Sequence, residues 1–286
     1  NKYNLIHCHS PIGGIICRIA NKHSKNYSNA RMIYTAHGFH FFKGNHPLKN
    51  FVFKNVEKYG ARYTDTLITI NKEDYNAAKK FKLKENGNVE YVPGIGINLT
   101  KINSMQGNKE SICDELNISH DSTLMLTAGE LTVRKNHEIV IKSLNQLDKN
   151  IHFLICGQGV LKEHLLNVAK ENGVSNRVHL LGYRNNVVEI MKSCDLFVFP
   201  SLQEGLPVAL MEAMACGLPC VASEIRGNTD LIEDGKNGCL FSLSDGNLIE
   251  KINKSYKENI HCEDMSMFSI QHINKEMERI YRLEGK

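Results

Sequence analysis

The sequence predicts an α/β protein that contains two doubly wound parallel sheets. Ten short apolar runs alternate with segments of helical length, and this alternation is typical of parallel sheets. Most of these runs lack the apolar–polar alternation of a half-exposed strand, and so they fit strands that are buried on both faces. The 286 residues are enough for two domains of ordinary size, and ten strands require two sheets.

The elements are assigned in chain order from these runs and from the segments between them. The predicted strands are residues 5–8, 32–36, 67–70, 89–92, 123–128, 152–156, 178–181, 195–199, 219–222 and 239–241. The predicted helices are residues 12–26, 47–59, 72–80, 136–147, 161–172 and 206–216. Residues 266–283 are predicted to form a final amphipathic helix.

A connector rich in glycine and proline, residues 92–98, predicts the boundary between the two domains. We expect a first domain over 1–97, a second over 98–265, and a last helix over 266–286 that packs back towards the first domain. Residues 1–97 carry 15 Lys and Arg against 6 Asp and Glu, whereas residues 98–286 carry 20 against 25. The basic first domain is therefore expected to face an anionic partner. Because it contains no recognisable nucleic-acid motif, nucleic acid is not expected to be that partner.

Four loops are candidates for the functional site, because ligands of open parallel sheets bind beyond the carboxyl ends of the strands. These loops are residues 7–14, 37–44, 129–135 and 201–206. All four are rich in side chains that can bind or react. The sequence therefore predicts that the functional groups meet at the carboxyl edges of the two sheets.

The predicted helix 206–216 carries one carboxylate, Glu212, among apolar residues. Pro207 suits the first helical position, and Gly217 suits the residue just past the end. A helix that is apolar all round is a buried helix, and a buried carboxylate is costly unless a partner binds it. The sequence therefore predicts a polar partner for Glu212, which need not be part of the protein.

Arg134 and Lys135 follow a predicted strand and precede a predicted helix that opens near Asn136. The amino end of a helix favours an anion, and an Arg–Lys pair suits a diphosphate. A solvated basic pair is the alternative. The turn of Gly157 and Gly159 lacks the full glycine pattern of a dinucleotide-binding loop, and so a simple turn is the favoured interpretation.

Two histidines follow strands of the first domain, and His9 and His37 are candidates for hydrogen bonding or proton transfer in a cleft. His7 and His9 share one face of a strand, which makes a metal site conceivable. No carboxylate or third histidine is placed to complete such a site. The nine cysteines form no pair with metal-site or redox spacing and are expected to be reduced, buried thiols.

The loop of Phe39 to Phe42 contains aromatic side chains that are expected to be exposed and to contact a partner. The helix that follows has an apolar stripe of Leu48, Phe51, Val52, Val56 and Tyr59, flanked by Lys49, Lys54 and Lys58. Two interpretations remain open for this stripe. It either contacts an anionic membrane or packs on the sheet, and packing on the sheet is the favoured interpretation.

These motifs together resemble family 4 glycosyltransferases, especially those that build bacterial capsular polysaccharide, exopolysaccharide or lipid-linked oligosaccharide. The resemblance is carried by Glu204 and Glu212 with seven residues between them, by Gly129-Glu130 followed by Arg134-Lys135, and by the connector 92–98. It implies the GT-B fold, in which two Rossmann-like domains face each other across a cleft. It also implies transfer of a sugar from a nucleotide donor, for which UDP is the expected nucleotide, with retention of configuration and without a metal ion or other cofactor.

The resemblance also implies roles for individual residues. The expected catalytic residues are His37, Arg134, Lys135 and Glu204. The expected donor-binding residues are Gly129, Arg134, Lys135, Glu204, Gly205, Leu206 and Glu212, in which Glu212 binds the ribose hydroxyls and the backbone of Gly205 and Leu206 lies beside the donor. The expected acceptor-side residues are His9, Phe39 and Phe41. The implied acceptor is a glycan or a lipid-linked glycan, and the implied location is the cytoplasm, peripheral to the inner face of the plasma membrane.

The resemblance departs from the family pattern at the start of the chain, where the family's first strand and glycine-rich loop have no match. We therefore expect the first domain to be incomplete and the chain alone to have little or no transferase activity. One alternative is a non-catalytic remnant that still binds a sugar nucleotide. Another is a different GT-B enzyme, such as a sugar-nucleotide epimerase.

Overall fold

The computed structural model describes residues 3–24 and 30–282. The chain forms two compact units, one of Asn1–Gly96 with Gln271–Lys286 and one of Ile97–Ile270. Residues 25–26 and 283, which were predicted as helix ends, lie outside the described residues, as do residues 284–286 of the predicted last segment.

The first unit is built on a parallel sheet of four strands in the order β1-β2-β3-β4. The strands are β1 (Leu5–His9), β2 (Arg31–Ala36), β3 (Thr66–Thr69) and β4 (Asn88–Tyr91), and the helices are α1 (Pro11–Lys22), α2 (Pro47–Ala61), α3 (Lys72–Ala78) and α12 (Ile270–Arg282). Each predicted strand of this unit is confirmed to within one residue at its ends.

Side chains alternate between the two faces of the first sheet, and each face has its own core. Met32 and Tyr34 belong to one core, whereas Ile33 belongs to the other. The second core is completed by Ile273 and Ile280 of α12. The last helix of the chain therefore packs on the sheet formed by the first 96 residues.

Helix α2 packs with the face opposite to the one that its sequence favours, and the interpretation that its apolar stripe lies on the sheet is wrong. Leu48, Phe51, Val52, Val56 and Tyr59 are all exposed. The buried residues of α2 are Glu57, Gly60 and Ala61. A carboxylate and two small residues thus lie where a hydrophobic stripe was expected.

An ion pair in the interior explains this orientation. The fully buried guanidinium of Arg18, on α1, donates from Nη2 to Glu57 Oε2 at 2.9 Å and from Nε to the carbonyl of Gly14 at 3.0 Å. Tyr34 donates its hydroxyl to Glu57 Oε1 at 3.0 Å, and the guanidinium stacks on the Tyr34 ring at 4.0 Å. Gly60 leaves room for this group, because a Cβ there would lie 2.6 Å from Arg18 Cζ.

The second unit is built on a parallel sheet of six strands in the order β10-β9-β8-β5-β6-β7. The strands are β5 (Thr123–Ala128), β6 (Ile151–Cys156), β7 (Val178–Gly182), β8 (Leu196–Phe199), β9 (Cys220–Ser223) and β10 (Cys239–Phe241). The strand order reverses between β5 and β8, so that the loops following these two strands lie side by side. All six predicted strands are present, and the prediction of two parallel sheets is confirmed.

Eight of the described α-helices lie in the second unit, and α12 begins there with Ile270. They are α4 (Leu99–Ser104), α5 (Lys109–Leu116), α6 (His137–Ser143), α7 (Lys162–Glu171), α8 (Val187–Met191), α9 (Val208–Ala215), α10 (Asn228–Leu231) and α11 (Leu248–Glu258), with the first residue of α12. The helix predicted over 136–147 ends earlier, at Ser143, and continues as a 3₁₀ turn over Leu144–Gln146. Pro207 precedes the first turn of α9 instead of beginning it.

We predict that Arg18→Met lowers the free energy of unfolding of the first unit by about 3 kcal/mol, because it leaves Glu57 buried without a counter-charge. The double variant Arg18→Met/Glu57→Leu should recover at least half of this loss. Hydrogen exchange of the β2 amides under native conditions measures the effect.

The matched control is Arg282→Met, which breaks the exposed ion pair between Arg282 and Glu278. It should change the free energy of unfolding by less than about 0.5 kcal/mol. Equal effects of Arg18→Met and Arg282→Met would contradict the role given to the buried pair.

Candidate functional site

The loops that follow β5 and β8 are joined by an ion pair at the carboxyl edge of the second sheet. Lys135 Nζ donates to Glu204 Oε1 at 2.7 Å, and both side chains are about one-tenth exposed. Arg134 Nη1 donates to the same oxygen at 3.1 Å and to the carbonyl of Gln203 at 3.1 Å. The structure thus brings two adjacent cations together with a carboxylate that lies about 70 positions further along the sequence.

The charges of this cluster do not cancel. Two cations meet one carboxylate, which leaves an excess of one positive charge at the edge of the sheet. Lys135 Nζ also lies 4.6 Å from the centre of the Phe199 ring, which partly shields it from water. Because Coulomb interactions strengthen as water is excluded, this is a favourable place for an anion.

The helix predicted to open near Asn136 is confirmed as α6, but it contributes little to anion binding. Arg134 and Lys135 lie in a 3₁₀ turn, Val133–Lys135, that precedes α6. Asn136 adopts a left-handed conformation with φ 53°, and its side chain makes no capping hydrogen bond. Since α6 spans only seven residues, the positive field comes mainly from the two side chains themselves.

Glycines allow two loops to touch beside this cluster. A Cβ at Gly157 would overlap the carbonyl oxygen of Gly129, and the amide of Leu131 donates to the carbonyl of Gln158 at 2.9 Å. Gly129 in turn leaves room for the stem of Lys135, because a Cβ there would lie 3.1 Å from Lys135 Cε. These residues belong to a turn that the sequence alone identified only weakly.

A cavity of about 240 Å³ opens at the same loops. It is lined by Leu131, Gly157, Gln158, Gly159, Lys162, Leu180 and Gly182. The lining combines three glycines and two leucines with the polar side chains of Gln158 and Lys162.

Glu212, on α9, is half buried and has no hydrogen-bond or ion-pair partner among the residues that the structure describes. Burial raises the pKa of Glu212, and Lys101 opposes this shift. Leu210, Met211, Ala213 and Met214 of the same helix are buried. Glu212 thus lies among buried apolar residues, as the sequence predicts, but its side chain is more accessible than a fully buried helix implies. The polar partner of Glu212 stays a prediction.

The loop that carries Glu204 is supported by two residues that the sequence analysis missed. Arg226 is buried and donates from Nε to the carbonyl of Glu204 at 3.1 Å. Gly227 has φ 85°, and a Cβ there would lie 2.5 Å from the carbonyl oxygen of Gly205. Leu206 is buried, so only its backbone is available to a ligand. An Arg-Gly dipeptide that begins three residues after the end of β9 was the available sequence signal.

His137 is a third residue that the sequence analysis missed. Its Nε2 donates to the carbonyl of Glu130 at 3.2 Å, and its side chain is almost completely buried. Burial lowers the pKa of His137 to about 4, and the nearby Lys135 lowers it further, whereas the hydrogen bond to Glu130 opposes the shift. The ring is therefore neutral at physiological pH and holds the loop between β5 and α6.

In the first unit, three histidines meet at the carboxyl ends of β1 and β2. His9 Nδ1 lies 3.0 Å from His37 Nε2, and the ring centres of His7 and His9 are 4.2 Å apart. His7 bonds Thr35 Oγ1 and the hydroxyl of Tyr281, each at 2.8 Å. The prediction that His7 and His9 share a face of the strand is confirmed.

The histidine cluster favours neutral rings. Burial, with the neighbouring His9 and His37, lowers the pKa of His7 to about 4, and partial burial together with His9 lowers the pKa of His37. His9 and His37 are the exposed members of the cluster. Ser10, which follows His9, has φ 62° and ψ 151°, a strained conformation for a residue with a Cβ.

Phe39 and Phe41 are not exposed, and the expectation that they contact an acceptor is wrong. Phe39 is completely buried and stacks on Phe41, with ring centres 4.7 Å apart. Both rings also lie against Phe81. The aromatic residues that looked like an exposed loop thus form part of the core of the first unit.

Three further features of the described residues concern the thiols, the metal-binding side chains and the length of the helices. All nine cysteines have free thiols, and burial raises the pKa of Cys8 and of Cys156 to about 12. Among the described residues, no group of three His, Cys, Asp or Glu side chains is arranged to hold a metal ion. None of the helices in the described ranges combines the length and the apolar character needed to cross a bilayer.

Comparison with known proteins identifies relatives of both parts of the chain. Residues 108–272 match the family model of glycosyl transferases group 1, and residues 1–71 match the glycosyl transferase 4-like model. The chain is 32% identical over 249 residues to the putative glycosyltransferase EpsD of Bacillus subtilis. The aligned residues cover 85% of this chain and 65% of EpsD.

A second relative is the UDP-Gal:alpha-D-GlcNAc-diphosphoundecaprenol alpha-1,3-galactosyltransferase of Escherichia coli. It is 32% identical over 251 residues, which cover 85% of this chain and 64% of that enzyme. The chain thus spans about two thirds of the length of these two curated relatives.

Solved structures share the fold. HepE of Anabaena, in complex with UDP-glucose, matches with a TM-score of 0.80 at 20% identity. The match covers 97% of this chain and 78% of the HepE chain. WaaG, a glycosyltransferase involved in lipopolysaccharide biosynthesis, matches with a TM-score of 0.69 at 18% identity. The match covers 93% of this chain and 80% of the WaaG chain. The prediction of the GT-B fold is confirmed by these likenesses.

We predict that the second unit loses stability as the pH falls from about 6.5 to about 4, in part through His137. The unfolded state binds a proton at His137 below about 6.5, whereas the folded state resists it until about 4. The contribution of His137 to the free energy of unfolding is complete above 6.5 and falls by about 3 kcal/mol by pH 4.

The measurement is the pH dependence of chemical unfolding for the native chain and for His137→Gln, whose amide can still donate to Glu130. Carboxylates titrate in both proteins, so only the difference between the two curves reports on His137. Parallel curves between pH 6.5 and pH 4 would show that this histidine does not resist protonation.

Proposed function

Because the chain belongs to the family of glycosyl transferases group 1, we propose that it transfers a sugar from a nucleotide-diphosphate sugar, with retention of configuration, to a growing bacterial surface glycan. The observation that carries this proposal is the convergence of Arg134 and Lys135 on Glu204 at the strand-order reversal. Ligands of doubly wound sheets bind at this place.

Arg134 and Lys135 are proposed to bind the diphosphate of the donor. As the bond between the sugar and the diphosphate breaks, negative charge grows on the departing phosphate. Cations that are already in place stabilise that charge more strongly than the charge of the intact donor, and this difference lowers the barrier. In this proposal the two side chains do the work that a metal ion does in other transferases.

The nucleoside is proposed to lie between Glu212 and the cavity beside Leu131. The carboxylate of Glu212 has no partner among the described residues, and ribose hydroxyls are suitable donors to it. The cavity of about 240 Å³ at Gly157–Gly159 is proposed to receive the base. HepE, which shares the fold, is known in complexes with UDP and with UDP-glucose, and this supports UDP as the nucleotide.

The side chains of His37 and His9 are proposed to act on the acceptor side of the reaction. His37 is exposed, and its lowered pKa keeps the ring neutral, which suits hydrogen bonding to a sugar hydroxyl. His9 holds the His37 ring through its Nδ1. Backbone groups of Gly129, Gly205 and Leu206 are proposed to lie beside the donor.

The acceptor is proposed to be a lipid-linked glycan at the inner face of the plasma membrane. The names of two relatives state transfer to glycans on diphosphoundecaprenol, one in Escherichia coli and one in Campylobacter jejuni. Residues 1–97 carry an excess of basic over acidic residues, 15 against 6, which supports a location peripheral to an anionic membrane.

We predict that Lys135→Ala weakens the binding of UDP at least tenfold, because a charge-assisted hydrogen bond to phosphate is lost. Glu212→Ala should weaken UDP about as much but leave inorganic pyrophosphate unaffected, since its proposed contact is with ribose. Titration calorimetry on the purified chain measures both ligands.

The control variant is Lys142→Ala, which removes an exposed lysine that pairs with Glu138. Its UDP affinity should equal that of the unchanged chain. Unaltered UDP binding by both Lys135→Ala and Glu212→Ala would overturn the donor site. UDP binding without any consumption of UDP-sugars would favour a non-catalytic binding protein.

We predict that Glu204→Gln strengthens anion binding, in contrast to Lys135→Ala. The substitution removes the internal anion from Arg134 and Lys135, so the affinity for inorganic pyrophosphate should rise about tenfold. The same calorimetric titration measures it. A fall in pyrophosphate affinity would show that Glu204 serves to orient the two cations and does not compete with the ligand.

A further inference from the structure

A hydrogen bond joins the last helix of the chain to the histidine cluster of the first unit. The hydroxyl of Tyr281, near the end of α12, lies 2.8 Å from His7 Nδ1. The other ring nitrogen of His7, Nε2, lies 2.8 Å from Thr35 Oγ1. Both nitrogens of this half-buried ring are therefore bound, and the ring cannot turn without losing a hydrogen bond.

The end of α12 that carries Tyr281 is itself held against the sheet. Ile280 is completely buried, and its carbonyl accepts a hydrogen bond from Arg31 Nη1, on β2, at 2.9 Å. Arg279 donates from Nη2 to Glu90 Oε2, on β4, at 2.7 Å. With contacts on both sides of it along the sheet, this part of the helix gives the Tyr281 hydroxyl a defined place.

His7 lies on a face of β1 that is apolar nearer to the amino end of the strand. In the register of the two strands, His7 lies opposite Ile33 and His9 lies opposite Thr35. Leu5 and Ile33 lie on the same face and pack in the core that α12 completes. An apolar side chain at position 7 would extend this core without needing hydrogen-bond partners. Packing alone therefore does not explain a histidine there.

Direct contacts continue from His7 to His37. The ring centres of His7 and His9 are 4.2 Å apart, and His9 Nδ1 lies 3.0 Å from His37 Nε2. The rings of His9 and His37 are also stacked, with their centres 5.3 Å apart. No hydrogen bond joins the other nitrogen of His37, Nδ1, to a residue that the structure describes. Tyr281 is thus connected to His37 through two intervening rings, and Nδ1 is the nitrogen of His37 that a ligand can reach.

We propose that Tyr281 and His7 are positioning residues for His37, so that the last helix of the chain takes part in the acceptor side of the site. A tyrosine hydroxyl that donates to His7 Nδ1 keeps the proton of the neutral ring on Nε2, which then donates to Thr35 Oγ1. With His7 held in one tautomer and one orientation, the ring against which His9 lies is fixed, and His9 holds His37. The part that His37 plays towards an acceptor rests on the proposed function.

The experiment is proton–nitrogen correlation NMR of the histidine rings at neutral pH, in which the ring nitrogen shifts report the tautomer of each histidine. His7→Gln and His37→Gln assign the two rings, because each removes one set of signals. In the unchanged chain, the His7 proton should lie on Nε2. Tyr281→Phe removes only the hydroxyl, and it should move His7 towards the Nδ1 tautomer by a factor of about five, as expected for the loss of one hydrogen bond. The His37 signals should shift as well.

Two variants serve as controls. Thr35→Val should leave the His7 proton on Nε2, because Tyr281 still donates to Nδ1. Tyr256→Phe removes a tyrosine hydroxyl that bonds Thr123 Oγ1 at 3.2 Å in the second unit, and it should leave the His7 and His37 signals unchanged. Hydrogen exchange of the β2 amides establishes that Tyr281→Phe leaves the first unit folded.

Two results would overturn the positioning role. The first is a His7 ring that keeps its Nε2 tautomer in Tyr281→Phe. The second is a change at His7 with unmoved His37 signals, which would identify His7 as a residue of structural importance only. UDP binding is measured by calorimetry on the same samples. Absence of UDP binding by the unchanged chain, with the His37 response intact, would count against the proposed function alone, whereas the reverse result would count against the positioning role alone.

Discussion

The guanidinium of Arg18 is completely buried, and it can lie between α1 and α2 only because Glu57 supplies a carboxylate there. Removing one partner of a buried ion pair costs about 3–5 kcal/mol, and the observed orientation of α2 keeps Arg18 and Glu57 together. The same constraint acts in the second unit, where Lys135 is nearly buried against Glu204. Charge pairing therefore decides which surface α2 exposes in one unit and which side chains converge at the sheet edge in the other.

Glu212 differs from these paired charges. It lies on a helix whose neighbouring residues are buried, yet no described residue pairs with it, and burial raises its pKa. An arrangement that leaves one carboxylate unpaired while pairing its neighbour Glu204 is not explained by stability. It is explained if a ligand with hydroxyl donors completes the site, because a half-buried carboxylate then gains charge-assisted hydrogen bonds.

The sheets could be predicted from the sequence because strands buried on both faces must be apolar throughout, and such runs are easily recognised. Glu212 and the cations of the loop after β5 were found for a related reason, since charges stand out in apolar surroundings. The orientation of α2 could not be predicted, because it depends on the distant Arg18. Short helices such as α8 and α10 carry too few residues for a periodic pattern. Phe39 and Phe41 looked exposed because they follow a strand, but tertiary contacts with Phe81 bury them.

Glu204 has a further consequence for the proposed reaction. A nucleoside diphosphate that has lost its sugar carries more negative charge than the intact donor, so two uncompensated cations would hold the product more tightly than the substrate. An internal carboxylate that bonds both cations reduces the net positive charge and can re-form its ion pairs as the product leaves. Stabilisation of the transition state is useful only if the product is not trapped by the same charges. In the proposed reaction, the ion pair between Lys135 and Glu204 would therefore act on both donor binding and product release.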